Sequence, residues 1–70
     1  MKATISFFNY YRSAQISITK RFIEQTLGLV VMKMGVTLIV DLNGYNQEDF
    51  VTNLKPFMNH GKGGIQEITF

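Results

Sequence analysis

Apolar residues recur along this chain with two different periods, and the places where the period changes mark out its elements. From Lys2 to Tyr11 the β-branched and aromatic residues Thr4, Ile5, Phe7, Phe8, Tyr10 and Tyr11 predict a first strand. Ala14 to Thr19 alternates, with Ile16 and Ile18 on one side, and predicts a second strand in a hairpin with the first. The turn through Arg12-Ser13 lacks the positive-φ residues that two-residue hairpin turns favour. From Lys20 the period becomes helical: Phe22, Ile23, Leu27, Val30, Val31 and Met34 recur against Arg21, Glu24, Gln25 and Gly28. Thr19 reads as its N-cap and Gly35 as its terminator. A competing reading ends the helix at Leu27-Gly28 and makes Leu29 to Met34 extended, as the adjacent Val30 and Val31 favour; the pattern decides the helix only up to Leu27.

Val36 to Gly44, VTLIVDLNG, is an apolar β-branched run closed by Asn43-Gly44 and predicts a buried strand from Val36 to Leu42 ending in a tight turn. Asn46 then reads as an N-cap, with Glu48 and Asp49 where carboxylates favour the positive end of a helix dipole. Phe50, Val51, Leu54, Phe57 and Met58 form the apolar stripe of that helix, and Pro56 predicts its kink or early end near Lys55. Gly61 closes the element, and Ile65 to Phe70 predicts a last strand. The result is one α+β domain over residues 1–70, a small mixed sheet in the order ββαβαβ, with a ferredoxin-like βαββαβ order as the alternative.

Seventy residues is close to the size at which a single core gives marginal stability. There is no cysteine to form a disulfide, and His60 is the only histidine, which excludes a structural zinc site of ordinary composition. Aromatic residues are 13% of the chain, more ring surface than so small a core readily buries, and this points to an interface. The expected partner is a second copy or another protein, with Tyr10, Tyr11 and Phe70 as interface candidates. The net charge of +2 is spread over dispersed lysines and arginines, which disfavours nucleic acid as the partner. The nearly apolar run from Leu27 to Val40 contains Lys33 and falls short of the ~20 residues that span a bilayer. The opening Met1-Lys2-Ala3-Thr4 does not lead into the apolar run of a signal peptide, so a cytoplasmic protein without membrane association is expected.

The pieces MKATISFF, ITKRFIEQTLGL, VTLIVDLNG and GGIQEITF together resemble the β-grasp, ubiquitin-like sulfur carriers of thiamine and molybdopterin synthesis. That resemblance implies an N-terminal hairpin cradling the main helix, and a last strand leading to a C-terminal Gly-Gly whose carboxylate is adenylated and converted to a thiocarboxylate. This chain ends Glu67-Ile68-Thr69-Phe70 instead, so the carrier chemistry is not expected of it. Cleavage at Gly63-Gly64 would remove the last strand, and a connector is the better reading of Gly61-Lys62-Gly63-Gly64. A phosphate-binding nest there would need a helix after the glycines, where a strand is predicted.

Candidate chemistry is sparse. Asp41, Asn43, Asn46, Glu48 and Asp49 superficially suggest a calcium loop, but Gly44 comes fourth where an EF-hand needs glycine sixth; a turn and a helix cap account for them. His60 has no acid or nucleophile partner placed by sequence and reads as a helix-end residue. Met32 and Met34 read as core gap-fillers. Tyr10 and Tyr11 beside Arg12 would stack on bases if a sheet exposed them, but Val36 to Leu42 supplies neither rings nor cations to complete such a platform. With no catalytic constellation, no metal site and no cofactor, the reading is a small non-enzymatic protein–protein interaction module that self-associates. The alternative is a binder of a small anionic ligand or single-stranded nucleic acid, with Arg12, Lys20, Arg21 and Lys62 as anion-binding candidates.

Overall fold

In strands β1 (Lys2–Phe7) and β3 (Thr37–Asp41), alternate residues are buried: Ala3, Ile5 and Phe7 in the first, Leu38 and Val40 in the second. A period of two in burial is what a strand gives when one face is covered and the other is not. The computed structural model describes residues 1–8, 12–58 and 64–70. Its element order is β1, α1 (Arg12–Phe22, prolonged by a π-helical turn over Ile23–Leu27), β2 (Val30–Met34), β3, α2 (Gln47–Leu54, prolonged by a 3₁₀ turn over Lys55–Phe57) and β4 (Ile65–Thr69). The strands form one sheet in the order β2-β3-β1-β4 with every neighbouring pair antiparallel.

The order is therefore βαββαβ, the alternative arrangement, and the sheet is antiparallel rather than mixed. The difference from ββαβαβ lies in Ala14 to Thr19, which is helix, not strand. Within α1 the buried residues are Ile16 and Thr19, and Ile23 continues the same face one turn later, while Ile18 is exposed. Helical geometry separates Ile16 from Ile18, so their alternation carries no strand information here. Thr19 accordingly sits inside the helix and is not its N-cap; its Oγ1 and the Oε1 of Gln15 are buried with no hydrogen-bond partner among the described residues.

Gly28 ends the helical segment in the left-handed conformation at φ 70°, its N–H donating to the Ile23 carbonyl, and the chain turns directly into β2. Gly35 then occupies the hairpin turn between β2 and β3 at φ 62°, so it is a turn residue and not a helix terminator. A two-residue connection with glycine first, in positive φ, has the form of a type II′ turn, whose twist suits antiparallel neighbours. After β3, Asn43 (φ 48°) and Gly44 (φ 86°) form a second tight turn, closed by the Tyr45 N–H donating to the Leu42 carbonyl at 2.8 Å and supported by the Asn43 N–H donating to Asp41 Oδ1 at 3.1 Å. Asn46 caps α2 as expected, its Oδ1 accepting from the Asp49 N–H at 3.0 Å. At Pro56 the α-helix has already given way to the 3₁₀ turn.

Both helices bury their apolar residues in a single cluster with the inward rows of the sheet: Ile16 and Ile23 from the first helical segment, Phe50 and Leu54 from α2. They therefore cover the same face. Rings account for much of the periphery. Phe22 and Phe57 lie with centroids 4.8 Å apart, and Tyr45 and Phe70 approach Phe50 edge-on at 6.5 and 6.3 Å. Tyr45 also accepts a hydrogen bond from Asn53 Nδ2 through its hydroxyl at 2.8 Å. Among the described residues no helix is long and apolar enough to cross a membrane.

Candidate functional site

The strand registers place three rows of side chains on the sheet face away from the helices. They run Val30–Asp41–Lys2, then Met32–Ile39–Thr4–Thr69, then the pairs Met34–Thr37 and Ser6–Glu67. The β1 and β4 half of this face is polar or charged. The β2 half is a stripe of Val30, Met32 and Met34, which are 74%, 57% and 55% exposed, with Ile39 beside Met32. Val36, in the hairpin turn just past the end of β2, is also exposed.

β2 lies at the edge of the sheet, so one side of its backbone has no strand partner among the described residues. Natural edge strands are usually protected from pairing by charge, proline, a bulge or a cover. β2 pairs with β3 in unbroken register through all five of its residues, contains no proline and has one charge, Lys33. Lys33 is on the opposite side of the strand from the stripe, in the row of Leu38. An unpaired backbone edge and an exposed apolar row thus coincide on the same five residues.

The interface candidates fare differently. Phe70 is 50% exposed and packs edge-on to Phe50, in an open groove with Gln47, Glu48, Val51, Thr52 and Lys55 on the outer side of α2. Tyr10 and Tyr11 lie outside the described residues, as do His60, Gly61, Lys62 and Gly63. The methionines overturn an expectation: Met32 and Met34 are surface residues and fill no gap in the core, because they lie on the sheet face away from the helices, and of β2 only Val31 packs against the core.

Of the anion-binding candidates, Lys62 lies outside the described residues and the other three are spread along α1. Arg12 opens α1, whereas Lys20 and Arg21 stand at its other end, roughly 12 Å along the axis at 1.5 Å per residue. Lys20 Nζ is engaged with Glu24 Oε2 at 2.9 Å, one turn further on. Arg21 lines a groove of about 370 Å³ with Ser17, Ile18, Gln25, Thr26 and the Phe22–Phe57 pair. Among the described residues no three histidine, cysteine or acidic side chains are grouped to hold a metal ion.

The stripe on β2 went unread in the sequence because Val30, Val31 and Met34 also fit a helical period. The signal that locates it is Gly28 and Gly35, two glycines bracketing a short β-branched run. Compared with protein-family models, curated proteins and solved structures, the chain matches none. The resemblance to sulfur carriers rests on the sequence pieces alone.

Proposed function

We propose that this chain is a small non-enzymatic protein–protein interaction module that self-associates, and that its contact surface is the β2 edge with the adjoining apolar half of the open sheet face. The observation that carries this reading is the coincidence, on β2, of an unpaired strand edge with exposed Val30, Met32 and Met34. Strand addition uses both features together, since backbone hydrogen bonds supply affinity and alternate side chains supply specificity. Removing those side chains from water stabilises the complex by about 25 cal/mol per Å² of apolar surface, before the cost of association.

The reading is tested by the solution mass of the chain, measured by light scattering after size exclusion from about 10 μM to 1 mM and at low and high salt. The expected result is a mass rising with concentration from 8.0 kDa towards twice that value, unchanged by salt. A constant 8.0 kDa throughout that range counts against self-association.

The second reading, an anionic ligand or single-stranded nucleic acid, is favoured by one observation, Arg21 lining a groove together with the Phe22–Phe57 ring pair. Rings and a guanidinium suit stacking with charge. It predicts binding of a short oligonucleotide that falls steeply as salt rises and is lost in Arg21→Ala.

A further inference from the structure

The edge of β2 has a self-complementary pattern, and its one charge restricts the way two copies can meet. Resting on the interaction reading above, we infer that the partner of β2 is β2 of a second copy, paired antiparallel about a twofold axis at Met32. The two sheets then become one continuous sheet of eight strands. Backbone edges satisfy each other in an isologous contact only when the same segment pairs with itself in antiparallel sense.

Parity removes half of the possible registers. Directly opposed residues of an antiparallel pair point to the same side of the sheet. When an even-numbered residue of one copy faces an even-numbered residue of the other, Val30, Met32 and Met34 of both copies share one face, and both helical layers lie on the other. A slip of one residue turns the second copy over and sets its helices on the side of the first copy's stripe, which breaks the apolar row.

Charge and overlap select among the rest. Centred on Lys33, the pairing would set two lysines directly opposite, an unfavourable cross-strand pair. Centred on Val31, it would carry Met34 past the partner strand. Centred on Met32, all five residues pair: Met32 meets Met32, Val30 meets Met34, and Lys33 meets Val31, whose side chain is half-buried on the helix side. The joined stripe is then Val30, Met32 and Met34 from each copy, with Ile39 of each copy behind it. A five-residue strand offers less than the roughly 800 Å² per partner of a standard interface, which places the contact in the weak, small-interface class and sets the need to follow the mass up to about 1 mM.

Because the chain has no cysteine, single-cysteine variants report this geometry without interference. In the Met32-centred pair, the two Met32 Cα atoms are about 4.5–5.5 Å apart, within the range a disulfide spans, whereas the two Val30 positions are about 14 Å apart. Met32→Cys is therefore expected to form disulfide-linked dimers more than tenfold faster than Val30→Cys or Phe70→Cys under mild oxidation near 1 mM chain. The double variant Val30→Cys/Met34→Cys is expected to form dimers with two cross-links. All these side chains are exposed, and an unchanged circular dichroism spectrum verifies that each variant is folded. Equal rates at Met32 and Val30 would overturn the pairing. If the wild-type mass rises with concentration while Phe70→Cys cross-links fastest, the β2 pairing fails and the interaction reading survives on another surface. If the mass stays at 8.0 kDa, both fail.

Discussion

At one edge of the sheet, β4 pairs with β1 through a register that shifts between Ser6 and Phe7, exposes Gln66 and the charge of Glu67, and has Ile65 buried in the core. At the other, β2 runs in unbroken register with β3, buries no residue fully and exposes Lys33 on the helix side and Val30, Met32 and Met34 on the open side. Both are five-residue strands closing the same sheet, so length does not distinguish them. The irregular register and polar exterior of β4 oppose addition of another strand, and its apolar residues, Ile65 and Ile68, are used for folding. β2 has the reverse allocation: its apolar side chains contribute little to this domain's core and remain available outside it. The comparison separates a strand that holds the fold together from one that the fold holds out.

Substitutions at matched positions test that separation. The largest effect is expected from Ile65→Ala, which empties a core site 1% exposed and should lower unfolding stability by about 2–5 kcal/mol in a urea titration. Val30→Ala, at 74% exposure, should stay within about 0.5 kcal/mol. Similar losses for the two would erase the distinction. Next, Met32→Lys should weaken self-association at least tenfold, about 1.4 kcal/mol, by placing two cations at the twofold axis, while Glu67→Lys on the opposite edge leaves the association unchanged. Sedimentation equilibrium measures both, and an equal response at the two edges would contradict the assignment of contact to β2.

Two smaller effects sharpen the picture. Gly35→Ala meets no neighbouring atom but forces an L-residue into positive φ, at a cost of about 1 kcal/mol, and the midpoint of urea unfolding reports it. Smallest is Lys33→Ala, which in a Met32-centred pair has no lysine opposite it and should change the dissociation constant less than about threefold. A tenfold tightening would point instead to a pairing in which the two lysines face each other.

Much of the fold was legible where a local rule and the global arrangement agree. The β-branched run before Asn43-Gly44, the Asn46 cap and the break at Pro56 each have one cause acting at short range, and the structure contains all three. Ala14 to Thr19 misled because the inward face of α1 includes a threonine: Ile16, Thr19 and Ile23 are the helical stripe, but a hydroxyl at its centre hides the period. The absence of glycine at Arg12-Ser13 is the counter-signal in the sequence, and the structure begins α1 at Arg12 where a hairpin turn would lie. The candidate surface was less legible for a related reason. Aromatic content points to leftover ring surface, yet Phe7 and Phe50 are buried and Phe22, Tyr45 and Phe57 pack against other rings, so among the described residues the large exposed apolar side chains other than Phe70 are aliphatic or thioether. Which residues remain exposed depends on which strand ends up at the edge, and that is a property of topology rather than of any one segment.

The two-residue turn at Gly35 also sets an order of events during folding. β2 and β3 are joined by the shortest connection in the sheet, whereas Ser6 and Glu67, which face each other across β1 and β4, are 61 residues apart. On logarithmic loop-closure scaling that difference costs roughly 3 kcal/mol in chain entropy, and isolated hairpins close within about 1–10 μs. The β2–β3 hairpin therefore forms early and the closure of β4 onto β1 comes late. Throughout that interval the chain exposes the β2 edge while its core is still open, and if that edge is the contact surface proposed above, the yield of refolding should fall as concentration rises.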